Sequence, residues 1–289
     1  MRAETGAPQG PLALICGGGS LPLAVADSVA ARGREVVLFP LHGAAKPADF
    51  AARPSRWLHV GEFGKFVRLA RAAGCRDVVL IGSLARPALW QIRPDWRTLR
   101  LMPRIIAAFR GGDDHLLSGI ARLMEEHGFR LVGAHEVAPE ILTPASALGR
   151  VAPLPRDRDD IALGLDFLRA SAAFDVGQAV VVAERRVLAV EAAEGTDEML
   201  ARVAHMRASG RVRVPAGRGV MVKAPKQGQD RRFDLPAIGP QTVEGAARAG
   251  LAGIALAAGE TLLAEPERLV AVADGAGIFV VGVAAGPLP

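Results

Sequence analysis

Residues 12–39 constrain the fold more than any other part of the chain. Leu12–Cys16 is a short apolar run that gives way at once to Gly17-Gly18-Gly19-Ser20. An Ala/Val/Leu stretch then extends from about Leu21 to Arg32 and stops at Gly33, and Glu35–Phe39 is apolar again. Pro22 suits the first turn of a helix, where its missing N–H costs nothing. A buried strand, a glycine-rich turn, a helix and a second strand in that order form a βαβ unit. Such a crossover joins parallel strands, so the chain is predicted to be α/β.

The pattern continues through the first half. Pro40–Ser55 is an irregular connection, and Trp57–Val60 reads as a third strand. Gly61-Glu62-Phe63-Gly64-Lys65 leads into a helix ending at Gly74, and Asp77–Ile81 is another strand. Ala85–Pro103 fits no regular element. A helix introduced by Gly111-Gly112-Asp113-Asp114 runs to His127, and Phe129–Gly133 reads as the next strand. The first domain, 1–143, is therefore predicted to be an open parallel sheet. Pro144, Pro153 and Pro155 stand among small and charged residues, which marks 144–158 as a linker. The second domain, 159–289, opens with a helix over about Asp159–Ala173 and a hairpin, Ala179–Ala183 with Val187–Glu191. Alternating helices and strands follow, which predicts a second α/β domain with a mixed sheet.

Half of the 289 residues are hydrophobic, enough for two sizeable cores. The formal net charge of +5 favours anionic partners such as nucleotides, phosphates or an acidic membrane surface. Aromatic residues make up only 4% and tyrosine is absent, so base-stacking platforms for nucleic acid are not expected. Cys16 and Cys75 form neither a CxxC pair nor a disulfide framework. The polar N-terminus lacks the apolar segment of a signal peptide, and no apolar run is long enough to span a bilayer. A cytoplasmic protein is expected.

Five stretches carry candidate chemistry. Gly17–Pro22 lies at a strand-to-helix junction, where backbone amides and the helix dipole favour an anion; a nucleotide-binding turn and a plain tight turn are both open. It is not a dinucleotide fingerprint, because Pro22 stands at the third glycine position and Leu38-Phe39-Pro40 offers no acid to a ribose. No GKS or GKT marks a Walker motif. Gly61–Lys65 also follows a strand, with Phe63 placed to meet a base and Lys65 a phosphate; a glycine-bounded turn is the alternative. Gly112-Asp113-Asp114 suits either a metal or a helix cap. Glu194-Gly195-Thr196-Asp197 begins a helix, and capping by Thr196 or Asp197 accounts for only part of its polarity. Gly219–Gly239 leaves an apolar strand, presents Lys223, Lys226, Arg231 and Arg232, and then sets Asp234 between Phe233 and Leu235-Pro236. Cations at a strand end suit a polyanion such as a diphosphate, with the acid positioning water or a metal; a solvated basic loop is the alternative. The histidines show no HxH or HExxH spacing, and Arg122–Gly128 fails as a Nudix box.

Taken in order, Gly17-Gly18-Gly19-Ser20-Leu21-Pro22, Gly61–Lys65, Gly112-Asp113-Asp114, Gly133-Ala134-His135-Glu136, Asp175-Val176-Gly177-Gln178, Ala189–Asp197, Lys223-Ala224-Pro225-Lys226, Asp234-Leu235-Pro236 and Ala249–Gly253 resemble the LpxI family. These are UDP-2,3-diacylglucosamine pyrophosphatases of lipid A synthesis in Gram-negative bacteria. The resemblance implies a Rossmann-like N-terminal domain, a C-terminal α/β domain and a ligand held between them. It implies water attack on the diphosphate, thought to fall on the β-phosphorus, with release of UMP and 2,3-diacylglucosamine 1-phosphate (lipid X). Mg²⁺ or another divalent cation is implied. The family's essential aspartate falls on Asp234, as metal ligand or as base, with Asp197 a second candidate ligand. Gly18, Gly19, Ser20, Glu62, Phe63, Gly64, Lys65, Gln178, Glu194, Gly195, Thr196, Lys223 and Lys226 are the expected substrate-binding residues. A lipid substrate further implies peripheral contact with the cytoplasmic face of the inner membrane. Two rival readings stand beside this one: another nucleotide-sugar enzyme such as a transferase, and a non-catalytic UDP-sugar sensor.

Overall fold

A computed structural model describes residues 10–84, 95–96, 98–99, 113–174, 176–226, 230–232 and 235–284. The chain divides into two compact units. The first holds the described residues up to Glu140 together with 230–232, and the second holds the rest.

The first unit is built on β1 (Leu12–Cys16), α1 (Leu21–Ala31), β2 (Val36–Pro40), a single turn α2 (Pro47–Phe50), α3 (Phe63–Ala72), β3 (Asp77–Ile81), α4 (Asp113–Glu126), β4 (Arg130–Leu131) and the short α5 (Ala134–Val137). The four strands form one parallel sheet in the order β2-β1-β3-β4, with Cys16 level with Pro40 on one side and Ile81 on the other. Every residue of β1 is buried, as expected of a central strand covered on both faces. The aromatic core stacks edge-on, Phe39 on Phe66 at 5.1 Å, with Phe129 5.5 Å from Phe66.

Two sequence expectations change here. Trp57–Val60 does not form a strand; the segment after Pro54 meets β2 only at the isolated bridges Leu38–Ser55 and Leu41–Leu58. The strand expected over Phe129–Gly133 shortens to Arg130–Leu131, because Gly133 already starts α5 and its amide donates to the Glu136 carboxylate at 2.7 Å.

The amino-terminal edge of this sheet is tied by one acid. Asp77, 8% exposed at its side chain, opens β3 and accepts from Arg34 ahead of β2 at 2.7 Å. It also accepts from Arg130, at the start of β4, at 2.8 and 3.1 Å. Burial alone would raise the Asp77 carboxyl, but the bonds from Arg130 and Arg34 outweigh it and hold the group below its ordinary value.

The second unit comprises α6 (Pro155–Ser171), β5 (Ala179–Ala183), β6 (Arg186–Val190), α7 (Thr196–Ala208), β7 (Val220–Lys223), β8 (Ala237–Ile238), α8 (Pro240–Arg248), β9 (Gly253–Ala257), β10 (Leu262–Leu263), α9 (Pro266–Ala276) and β11 (Phe279–Val283). Its main sheet is mixed, in the order β11-β9-β7-β5-β6. The first three strands are parallel, while β5 runs antiparallel to β7 and β6 antiparallel to β5. β8 and β10 pair separately. One face of the main sheet packs Val180, Val182, Val220 and Val222 against Ile161 and Leu168 of α6. The other packs Val181, Met221 and Ile254 against Met199, Leu200 and Val203 of α7 and Val243 of α8. Cover on both faces explains why β5 and β9 are uninterrupted apolar runs rather than alternating ones.

The β5–β6 turn contains no glycine, yet Glu184 and Arg185 have φ of 51° and 59°. The buried Asp160 holds both residues there by accepting their amides at 3.1 and 2.7 Å. The stretch 144–158 runs beside β11, with Ala147 bridged to Val281 and the Leu148 amide bonded to Val280. Its last residues already belong to α6, which begins at Pro155, four residues before the expected Asp159. Among the described residues no helix is long and apolar enough to cross a membrane.

Asp77→Ala is expected to lower the stability at pH 7 by about 2 kcal/mol, the scale of lost hydrogen bonds to charged groups. Because the folded carboxyl lies below its ordinary value, its contribution is complete above about pH 4 and fades as pH falls through the folded value. Urea denaturation of both proteins at pH 7 and at a series of pH values below about 4 checks this, with the gap between them narrowing as pH falls.

Candidate functional site

In the first unit, β1, β2 and β3 all end at one edge, so the Gly17–Ser20 turn, the loop after Pro40 and Gly82-Ser83 lie together. Gly17 donates its amide to Ile81 at 2.8 Å, Gly18 donates to Ser83 at 2.7 Å, and Ser83 returns a bond to Gly18 at 2.9 Å. The Gly18 amide, expected to face a ligand, is therefore taken up in holding two loops together. Gly19 and Ser20 differ: among the described residues their amides meet no acceptor, and Ser20 makes no side-chain cap to α1. Two open amides at the start of an eleven-residue helix suit an anion.

Glu62 and Lys65 also lie at this edge, and they are paired. Lys65 Nζ stands 3.1 Å from Glu62 Oε2 and donates to the Trp57 carbonyl at 3.1 Å. The Glu62 side chain also accepts the His59 amide at 2.7 Å. Burial would raise the Glu62 carboxyl, but the His59 and Lys65 contacts prevail and lower it. Asp95 caps α3 by accepting the Lys65 amide at 2.7 Å. Phe63, expected to meet a base, packs edge-on to His127 at 4.9 Å and against Phe66, while Gly64 is buried inside the helix. His135 is half-buried and its Nδ1 finds no partner among the described residues. Burial, and secondarily Arg231, push its imidazole below the ordinary value against the opposing pull of Glu136. Of Gly112-Asp113-Asp114 only the helix start at Asp113 is described.

The second unit gathers its candidates more tightly. β7 ends at Lys223, level with Ala179 at the start of antiparallel β5, and Val190 at the end of β6 is level with Val180. One edge of the mixed sheet thus receives Gln178, the residues after Val190, Lys223 and the chain leading to Lys226. Lys223 is buried, at 6% exposure, and its Nζ donates to Thr196 Oγ1 at 2.6 Å. Thr196 Oγ1 donates in turn to Glu191 Oε1 at 2.7 Å, and Glu191 Oε2 accepts the Gln178 amide at 2.9 Å. Lys223 Nζ and Glu191 Oε2 are 3.9 Å apart, an ion pair with both side chains nearly closed to solvent. Ala224 donates to the Gln178 carbonyl at 3.0 Å, which carries the pairing past the end of β7.

The start of α7 departs from the expected cap. Gly195, not Thr196 or Asp197, is the N-cap residue, at φ 81°, a conformation that glycine holds without strain. Thr196 is the first helical residue, so its hydroxyl is released from capping and turned toward Lys223 and Glu191. Glu194 is drawn off to Arg202 at 2.5 Å. Asp197 is exposed, and its Oδ1 accepts from Thr242 Oγ1 at 3.4 Å. Among the described residues no three His, Cys, Asp or Glu groups converge as a metal centre. Asp234 lies outside the described residues, as do Asp175 and Phe233. The arginine-rich segment after α7 is a loop at the opposite end of β7, where Arg207 donates to the carbonyls of Val214, Pro215 and Arg218.

Glu191 is the member of this network that its sequence surroundings mark least. Its signal is the one that marks Lys223: a charged residue at the end of an otherwise apolar strand.

Comparison with known proteins covers both units. Residues 11–141 match the LpxI N-terminal domain and residues 144–281 the LpxI C-terminal domain. The chain is 44% identical over 272 residues to UDP-2,3-diacylglucosamine pyrophosphatase LpxI of Caulobacter vibrioides, covering 94% of this chain and 97% of that protein.

Thr196→Val keeps the shape of the side chain and removes both of its bonds. It is expected to cost about 1–2 kcal/mol, because two buried charged groups each lose a partner. A lowered urea midpoint with an unchanged slope is the expected result.

Proposed function

The chain belongs to the LpxI family, and from that premise we propose that it hydrolyses the diphosphate of UDP-2,3-diacylglucosamine, releasing UMP and 2,3-diacylglucosamine 1-phosphate in lipid A biosynthesis. The observation that carries this reading is the 44% identity over 94% of the chain to a pyrophosphatase of that name, with the buried Lys223–Thr196–Glu191 network at one sheet edge.

A diphosphate is inert toward water because its oxygens repel an incoming nucleophile, so the site must offset charge before attack. Lys223 is suited to this role. It is a cation held in place, away from bulk solvent, where its field acts more strongly than in water. Lys226, three residues on, is the second cation of this stretch assigned to the diphosphate. Asp234 directs the water, as base or as metal ligand. Mg²⁺ ordinarily takes one or two carboxylates together with substrate phosphates; the exposed Asp197 is one carboxylate that would hold it, and Asp234 is assigned as the other. When bound, the ion would withdraw charge from the diphosphate oxygens.

The acylated substrate places the protein at the cytoplasmic face of the inner membrane as a peripheral partner. Leu84 and Leu99, at 47% exposure each, support that contact, since exposed apolar side chains suit an interface.

Hydrolysis of UDP-2,3-diacylglucosamine in ¹⁸O-labelled water with Mg²⁺ is the test. Label is expected in 2,3-diacylglucosamine 1-phosphate. Asp234→Ala is expected to lower the rate on the order of 10²–10⁴-fold while still binding substrate. Label in neither product, or near-normal turnover by the variant, would defeat the reading.

A further inference from the structure

We propose that Glu191 is a positioning residue for this hydrolysis: it fixes the direction of a hydrogen-bond chain that aims the Lys223 ammonium. The inference rests on the reading of Lys223 as the group that meets the diphosphate.

The direction of the chain is set by counting protons. An ionised carboxylate can only accept. Glu191 Oε2 is occupied by the Gln178 amide at 2.9 Å, and Oε1 receives the single Thr196 hydroxyl proton at 2.7 Å. With that proton committed, Thr196 Oγ1 presents a lone pair to Lys223, and Nζ donates into it at 2.6 Å. A lysine side chain carries about 2 kcal/mol of rotamer freedom and three donors that turn about one axis. Fixing one donor restricts where the others point. Glu191 is itself held, because its own carbonyl accepts the Gly177 amide at 2.8 Å. Its Cβ and Cγ also lie where a side chain on residue 177 would stand, 2.6 and 2.4 Å from an added Cβ, so only glycine fits opposite.

Glutamine in this place has the same shape and cannot satisfy the chain. If its oxygen faces Thr196, its NH₂ opposes the Gln178 amide, donor against donor. If it is flipped, its NH₂ donates to Thr196, the hydroxyl proton loses the acceptor that fixed its direction, and the lone pair presented to Lys223 is no longer set. Either way one contact opens, and the aim of Lys223 is lost with little change in packing.

The test is steady-state hydrolysis of UDP-2,3-diacylglucosamine by the full chain, with urea denaturation to confirm that each variant is folded. Glu191→Gln is expected to lower kcat about 10- to 100-fold, the usual effect of removing a partner that orients a functional group, while KM moves no more than about threefold. Lys223→Met is expected to lose at least as much. The double variant is expected to be no slower than Lys223→Met alone, because Glu191 acts only through Lys223. If Glu191→Gln does not fold, Thr196→Val interrupts the same chain at its middle and is expected to show the same kcat loss and the same non-additivity. An unchanged kcat per folded molecule, or a full additive loss in the double variant, would overturn the positioning role while leaving the hydrolase reading intact. A wild-type chain with no turnover would overturn the hydrolase reading and this role together.

Discussion

A lysine ammonium set at the end of a fully buried strand governs the second unit. Removing such a charge from water costs several kcal/mol unless an opposite charge and hydrogen bonds replace the lost hydration. Glu191 and Thr196 provide both, but only because the sheet is mixed. β7 delivers Lys223 at its carboxyl end, while β5, running the other way, delivers the Gln178 amide at its amino end. β6 reverses again and delivers Glu191 beside it. Three strand ends of alternating direction therefore meet at one edge. Were β5 parallel to β7, Gln178 would stand at the far end of the sheet, and Glu191 would lose the donor that holds its second oxygen.

The first unit uses the same physics at the opposite edge of its sheet. Asp77 lies between Arg34 and Arg130, and the three residues join the starts of three elements. That tie is structural: it closes the amino edge and leaves the carboxyl edge, with the Gly19 and Ser20 amides, open to an anion. In the second unit the tie sits on the candidate site itself, so the contacts that hold the strand ends together also fix a cation. On the reading proposed above, a substitution there is expected to read on turnover as well as on stability, whereas one at Asp77 is expected to read on stability alone.

Much of this is legible in the residues. The buried strands β1, β5 and β9 are apolar throughout because their sheets are covered on both faces, and the Gly17–Ser20 turn and the Ala179–Glu191 hairpin stand where their sequences place them. Trp57–Val60 is not legible as a connection, because a short apolar run looks the same whether it completes a ladder or touches it at two points. Local reading also treats a hydroxyl or acid at a helix start as a cap. Gly195 takes that place here, and Thr196 bonds residues 5 positions earlier and 27 positions later. Phe63 looks like an open group for the same reason, since only the fold brings the His127 ring against it, whereas the Glu62–Lys65 pair, three residues apart, is local. Contacts over such separations leave no local pattern, although charged residues at the ends of apolar strands point to where they form.

The charge at the second unit's edge bears on the cation. Lys223 is already paired with Glu191, so a diphosphate meets less than a full positive charge from it. Near this edge the acids Glu191, Glu194 and Asp197 stand close in sequence to one another, and Glu194 is itself paired with Arg202. The first-turn acids Asp197 and Glu198 also complement the helix dipole of α7, which weakens the appeal of its amides to an anion. On the reading proposed above, a diphosphate that meets such an edge would arrive with its charge partly offset by a divalent ion. In that arrangement the exposed Asp197 is an asset rather than a source of repulsion. In the proposed site Lys223 would then act both as counter-charge and as a directed donor, and for a directed donor aim matters as well as charge.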